Sequence, residues 1–217
     1  MKIKTINCLT AIFLLLPTAL YAENIDPYKN GSQYAYGANV GWINFEPNIA
    51  DPNAGAMVGK ALTGYIWAPN IGWVVLSCKN TDSCGNVSYG VYNIGNGVLS
   101  GYAWSANAGW ISFSCQNTAS CGKVNYGVTI DSAGVFHGWA YGQNIGWIHF
   151  SAASPVAYKV QACVVNIDDL ASFTDEWLDI GRNLPADLDR DMNVEFKDYY
   201  IFANYWCDYC PNGWLLK

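Results

Sequence analysis

Gly101-Tyr-Ala-Trp-Ser-Ala-Asn-Ala-Gly-Trp-Ile-Ser-Phe-Ser-Cys115 decides the fold, because the same stretch occurs four times in the chain. The other copies run from Gln33 to Phe45, Gly64 to Cys78 and Gly138 to Ser151. Each has an Asn three residues before a Trp and a Gly immediately before it: Asn39/Gly41/Trp42, Asn70/Gly72/Trp73, Asn107/Gly109/Trp110 and Asn144/Gly146/Trp147. The Trp-to-Trp steps of 31, 37 and 37 residues lie in the range where a fixed period marks a repeat architecture.

Each copy reads as a β-hairpin. Tyr102 and Trp104 alternate with Gly101 and Ala103, the period of a strand. Ser105 to Gly109 supplies the bend, with Asn107 and Gly109 as residues that tolerate positive φ. Trp110 and Ser112 then share one face of the returning strand and Ile111 and Phe113 the other. A third segment recurs between hairpins, Tyr89-Gly90-Val91 and Tyr126-Gly127-Val128, so one unit is about three short strands. The recurring Trp42, Trp73, Trp110 and Trp147 read as the core filling of each unit. Tyr65, Trp67, Tyr102, Trp104, Trp139 and Tyr141 read as the better candidates for a ligand-binding groove, since exposed Tyr and Trp offer flat apolar faces to sugars and protein partners.

The chain enters this pattern in mid-unit, with a hairpin alone, and leaves it with Val156 to Val160, which resembles the missing opening strand. That offset predicts a closed or nearly closed array of four units, mainly β, either a small propeller or a compact barrel. An open solenoid is the competing arrangement.

Outside the repeats, residues 1–22 read as a secretory signal peptide: Lys2 and Lys4, an apolar stretch from Leu9 to Leu16, and Ala-Leu-Tyr-Ala ending at Ala22. The apolar run is too short to span a bilayer, so no transmembrane segment is expected. Export permits disulfides. Cys78 to Cys84 and Cys115 to Cys121 are the same loop in consecutive units, and a bridge within each is the simplest pairing. Cys163, Cys207 and Cys210 remain; Cys163 pairs with one of the other two and one thiol is left over.

Charge divides the exported chain in two. Residues 23–162 carry six acids and five bases, whereas residues 163–217 carry eleven acids and four bases. The first part reads as the β-repeat domain and the second as a separate acidic domain. Neither is basic enough to suggest nucleic acid as a partner.

The acidic domain contains Asp187-Leu-Asp189-Arg-Asp191-Met-Asn193-Val-Glu195-Phe-Lys-Asp198. Oxygen ligands at positions 1, 3, 5, 9 and 12, with the Asn193 carbonyl at position 7, give the ligand spacing of a calcium loop. Two Asp-x3-Phe-x3-Trp segments, Asp169 to Trp177 and Asp198 to Trp206, stand 29 residues apart and place Phe and Trp on one helix face. With these motifs, residues 163 to 206 resemble a type I dockerin, a tandem pair of loop-helix segments. The resemblance implies calcium held by Asp187, Asp189, Asp191, Asp198 and the Asn193 carbonyl, and a cohesin-like or self-association partner. Two departures stand out. Position 6 is Met192 where the family has Gly, and the first loop has Tyr158, Val160 and Ala162 at positions 1, 3 and 5, so one calcium is expected instead of two. Positions 10 and 11 are Ile167 and Asp168, then Phe196 and Lys197, unlike the family's small hydroxyl pair. The Asn-x-Gly-Trp units also resemble Trp-rich β repeats of exported bacterial proteins, which adds secretion and no chemistry.

For catalysis the sequence offers little. The acids of the β region stand at non-equivalent places without a pair to flank a glycosidic bond. His137 and His149 have no evident supporting acid, and no nucleophile or nucleotide-binding motif occurs. The expected function is therefore that of a secreted, non-enzymatic binding or adhesion protein. Its aromatic repeats would take an extracellular glycan or protein, and its tail would tether it in a calcium-dependent way at or outside the cell surface. A structural subunit of an extracellular assembly is the alternative, and a secreted polysaccharide-active enzyme ranks last.

Overall fold

A computed structural model describes residues 24–47 and 54–217. The signal peptide read over residues 1–22 lies outside the described residues. The strands are β1 Tyr34–Gly37, β2 Gly41–Asn44, β3 Gly55–Met57, β4 Ala61–Ala68, β5 Gly72–Val75, β6 Val91–Asn93, β7 Leu99–Ser105, β8 Gly109–Ser112, β9 Val128–Ile130, β10 Phe136–Gly142, β11 Gly146–His149, β12 Ser151–Ala152 and β13 Tyr158–Lys159. Two α-helices follow among the described residues, α1 Ile167–Asp175 and α2 Phe196–Asn204.

The four motif copies are the hairpins β1-β2, β4-β5, β7-β8 and β10-β11. In each, the second strand pairs antiparallel with the first strand of the next hairpin, and β11 returns to β1 through Tyr36↔His149 and Gly37↔Ile148. The result is a closed antiparallel barrel of eight strands. It is not a propeller, because neighbouring hairpins share ladder bonds instead of forming separate blades. The final segment crosses the seam between the first and last units: Val160 bridges Gln33, Gln161 bridges Val135 and Ala162 bridges Ile25.

Strands β4, β7 and β10 are longer than their partners because each serves two sheets. Their N-terminal halves pair with the short strands β6 and β9, and the bend falls at Gly64, Gly101 and Gly138, with φ of +95°, +94° and +86°. A Cβ at Gly101 would stand 2.1 Å from the Gly90 carbonyl oxygen, so only glycine allows both the left-handed backbone and the close strand.

The barrel interior overturns the sequence reading of the four tryptophans. Trp42, Trp73, Trp110 and Trp147 are 41%, 38%, 42% and 38% exposed, on the outer wall. The core is built from the alternate residues: Ile43, Val74, Ile111 and Ile148, then Phe45, Leu76, Phe113 and Phe150, all buried. Strand alternation separates these two sets, but both are apolar, so it does not say which faces inward. Barrel size decides. An eight-stranded barrel has an interior just wide enough for side chains to fill, and four indoles at one level would not fit beside the phenylalanines. Phe150 already contacts Phe45, Phe113 and Phe136 at centroid distances of 5.7, 5.7 and 5.8 Å.

The Asn-x-Gly-Trp motif closes one end of the barrel. Asn70 Nδ2 donates to the Val40 carbonyl at 2.9 Å, Asn107 to Ile71 at 3.1 Å, Asn144 to Ala108 at 3.2 Å and Asn39 to Ile145 at 3.2 Å. Each hairpin thus bonds to the one before it, and the first bonds to the last. The glycines Gly41, Gly72, Gly109 and Gly146 take φ between +71° and +78°, while none of the four asparagines has positive φ. The asparagines are donors to a neighbouring unit and not the turn formers that the sequence suggests. The intervening Val40, Ile71, Ala108 and Ile145 are buried under this ring.

The second core begins where the first ends. Barrel residues up to Ala162 form one buried cluster, and Cys163, Val165, Phe173, Ala186, Val194, Phe202, Cys210 and Leu216 form another. Within the tail, hydrogen bonds repeat with an offset of 29 residues. Leu178 N donates to Val194 O and Cys207 N to Val165 O, both at 3.0 Å; Val194 N donates to Asp179 O and Val165 N to Asp208 O, both at 2.9 Å. Phe173 and Phe202 stack between the two halves with centroids 5.3 Å apart. Disulfides join Cys78 to Cys84, Cys115 to Cys121 and Cys163 to Cys210, and Cys207 is the free, exposed thiol. No helix among the described residues is long and apolar enough to cross a membrane.

Candidate functional site

Turning the tryptophans outward gives the barrel wall four aromatic clusters. Trp42 meets Tyr36 and Tyr158 edge-on at 5.0 and 5.2 Å, Trp73 meets Trp67 at 4.9 Å, Trp110 meets Trp104 and Tyr89 at 4.6 and 5.1 Å, and Trp147 meets Tyr141 and Tyr126 at 4.7 and 5.2 Å. Tyr89, Tyr126 and Tyr158 occupy the same place in successive units; the residue there before the second hairpin is Ala54.

The Trp110 and Trp147 clusters open into a groove between the third and fourth hairpins. It has a volume of about 620 Å³ and is walled by Tyr102, Trp110, Tyr126, Tyr141 and Trp147, with Val124 beside them, Ser112 at the base and Thr118, Ser120 and Gln143 on the rim. Register explains its position. Ser112 lies opposite Tyr102 within its hairpin and opposite Tyr141 of the next. The equivalent residues elsewhere are Asn44, Val75 and His149. Asn44 is engaged by Gln33 at 2.9 Å, and the His149 ring stacks on Trp139 at 4.0 Å. Ser112 is the smallest of the four and leaves room between the rings.

The groove is held rigidly. Ser112 Oγ accepts from Asn117 Nδ2 at 2.9 Å and from the Tyr126 hydroxyl at 3.0 Å, and donates to the Ser114 carbonyl at 2.9 Å. The Tyr102 hydroxyl donates to the Asn117 carbonyl at 3.0 Å, and burial, with Tyr126 beside it, raises its pKa. Asn117 sits in the 3-10 turn Cys115–Thr118 that the Cys115–Cys121 bridge closes, so the disulfide loop sets one rim of the groove.

Of the residues singled out in the sequence, Tyr102 and Tyr141 line this groove. Tyr65 and Trp67 pack around Trp73, Trp104 packs on Trp110, and Trp139 is taken up by His149, so these four do not share the site. Trp110 and Trp147, which the sequence suggests as core filling, and Tyr126 of the third segment line it as well. The Thr118 and Ser120 pair of the rim recurs as Thr81 and Ser83 in the preceding unit, so the loop sequence alone does not single out this groove.

The acidic loop brings Asp187, Asp189 and Asp191 together, each offering an oxygen within 4.8 Å of the others. Oxygens bound at 2.3–2.6 Å to one ion lie at most about 5 Å apart, so this spacing is compatible with a single hard cation. Asp187 shapes the turn by accepting from Asp191 N at 3.0 Å and Met192 N at 2.8 Å. Met192 has φ of +75°, the left-handed conformation expected for position 6. The other named ligands are engaged differently. Asp198 is fully buried and accepts from Leu188 N at 2.7 Å, Asp189 N at 3.0 Å and Glu195 N at 2.9 Å. Glu195 faces Lys197 at 2.9 Å, and Asn193 Nδ2 donates to Asp191. Lys197 also reaches Asp191 at 3.1 Å, which lowers the Asp191 pKa, and its partners Glu195 and Asp191 raise its own. Burial raises the Asp189 carboxyl, with the Asp198 and Asp191 charges adding to it.

One histidine does have an acid beside it, contrary to the sequence reading. Ser151 Oγ lies 3.3 Å from His137 Nδ1, and His137 Nε2 lies 2.8 Å from Asp131 Oδ2. Burial acts to raise the Asp131 carboxyl, but the His137 hydrogen bond and the Val135 and Ala133 N–H groups outweigh it and hold it low. The three side chains stand on the open surface, none lines the groove, and the carboxylate also ties down the turn before β10. The arrangement anchors a turn. The chain matches no protein-family model, no curated protein and no solved structure.

Proposed function

We propose that this protein is a non-catalytic extracellular binding protein whose barrel wall takes a neutral sugar chain in the groove between the third and fourth hairpins. The observation that carries the reading is the groove's lining: five aromatic rings with hydroxyl and amide groups at the rim and no charged side chain. Sugar rings present apolar C–H faces to aromatic planes and hydroxyls to polar neighbours, and an uncharged groove favours an uncharged ligand. Three disulfides are compatible with an extracellular setting.

The tail, in this reading, binds one calcium ion at Asp187, Asp189 and Asp191 and tethers the barrel to a protein partner. Its two halves open with the exposed apolar residues Ile167 and Phe196, at equivalent places in α1 and α2. Service as a structural subunit of a larger assembly would use the same two residues, and is the second reading.

A glycan array followed by titration of the best neutral oligosaccharide tests the groove. Trp110→Ala and Trp147→Ala should each weaken binding about tenfold, about 1.4 kcal/mol, while Trp67→Ala, outside the groove, should leave it unchanged. Equal losses in all three variants, or no glycan signal from the wild-type protein, would refute the sugar reading.

A further inference from the structure

The tail's two halves share a hydrogen-bond pattern, yet only one has an acidic loop. In the half that leads into α2, Asp198 takes backbone N–H groups of its own loop on both oxygens. Asp169 is its counterpart before α1, is fully buried, and accepts from Asn166 N at 2.9 Å as Asp198 does from Glu195 N. The loop that should complete its surroundings is missing, because residues 158–162 are committed to pairing with β12 and to bridges with Gln33, Val135 and Ile25.

Residues from the end of the sequence occupy the gap. Trp214 Nε1 donates to Asp169 Oδ1 at 2.9 Å, and Lys217 Nζ donates to Asp169 Oδ2 at 2.5 Å and to the Val164 carbonyl at 2.9 Å. The Lys217 side chain is only 7% exposed, and its ammonium also lies 5.6 Å from the centre of the Tyr28 ring. Counting a twelve-residue calcium loop back from Asp169, Val164 is position 7 and Asp169 position 12. Those are the places that give a metal a backbone carbonyl and a carboxylate. The ammonium therefore bonds to two of the groups that a calcium ion would use.

We propose that Lys217 is a resident cation filling the first of the tail's two cation positions. The α1 half is then held folded without metal, and it is pinned to the barrel through Tyr28. Metal control is confined to the α2 half, which carries Phe196. This last step rests on the calcium reading of Asp187, Asp189 and Asp191; the role of Lys217 in the α1 half does not.

Native mass spectrometry with added calcium, and amide hydrogen exchange of residues 167–175 and 196–204 with calcium or with chelator, test the proposal on the whole exported chain. The wild-type protein should take one ion, and chelator should speed exchange in 196–204 while leaving 167–175 unchanged. Lys217→Met should speed exchange in 167–175 at least tenfold, in chelator and in calcium alike, because two protein oxygens cannot hold a replacement ion. Lys217→Arg, which keeps the charge, should restore most of the protection. Two calcium ions bound to the wild-type chain, or 167–175 equally protected in Lys217→Met, would overturn the assignment. No ion bound, with 167–175 still dependent on Lys217, would overturn the calcium reading and leave the lysine's role standing.

Discussion

At the scale of single residues, the asparagines of the repeated motif are the most informative. Each contributes one donor to a carbonyl in a neighbouring hairpin, and a single hydrogen bond of this kind is worth about 1 kcal/mol. Asn107→Ala should lower stability by about that amount. Asn107→Asp should cost about twice as much, since a carboxylate cannot donate to the Ile71 carbonyl and repels it; urea unfolding of the two variants checks the order. His149 gives a pH signature. Its ring is stacked on Trp139, and burial lowers its pKa below the ordinary 6.5. The unfolded chain therefore binds the proton first, so the His149 contribution is fully present above about pH 6.5 and is lost as pH falls toward the folded-state value. Thermal unfolding at pH 7.5 and 5.5 should show a drop in the wild-type protein that His149→Gln reduces. The sequence shows which residues share a strand face but not which face is inside, since Trp-Ile-x-Phe is apolar on both. It shows the asparagines as turn formers because their acceptors lie 30 to 106 residues away.

At the scale of elements, loops and hairpins depend on one another. The Cys115–Cys121 bridge closes a short loop whose Asn117 holds Gly101, Tyr102 and Ser112 in place. Replacing both cysteines by Ala should cost about 2–3 kcal/mol and also weaken sugar binding, whereas the equivalent change at Cys78 and Cys84 should cost stability alone. The acidic loop and α2 form a second coupled pair. Calcium at a hundred times its dissociation constant should stabilise the tail by about 2.7 kcal/mol, and Asp187→Asn should abolish that gain while leaving the barrel's unfolding unchanged; calorimetry with and without chelator reads both. The two helices were legible because their periodicity is a local pattern. The groove was not, because it depends on which side chain, Ser112, Val75, Asn44 or His149, stands between two units that meet only after the ring has closed.

For the whole molecule, closure is the controlling event, and the sequence carried its outline in the half-unit at each end. Val160 is fully buried and donates its N–H to the Phe150 carbonyl at 3.1 Å while accepting from Phe136 N at 2.9 Å. Val160→Asp should put a charge into that seam, destabilise the protein by more than about 3 kcal/mol and expose strand edges; size-exclusion chromatography should then show aggregates in place of a monodisperse peak. The asparagine bonds of the motif run from Asn39 back to Ile145, so their circuit has no first or last member. Linear repeat proteins lengthen by one module and merely shift their caps. Here each module brings one donor and one acceptor, so a gained or lost module must be absorbed by a ring of different circumference, and the interior of an eight-stranded barrel is already filled by its side chains. Such an architecture can drift in sequence, but a change in its tally has to be met by a change in girth.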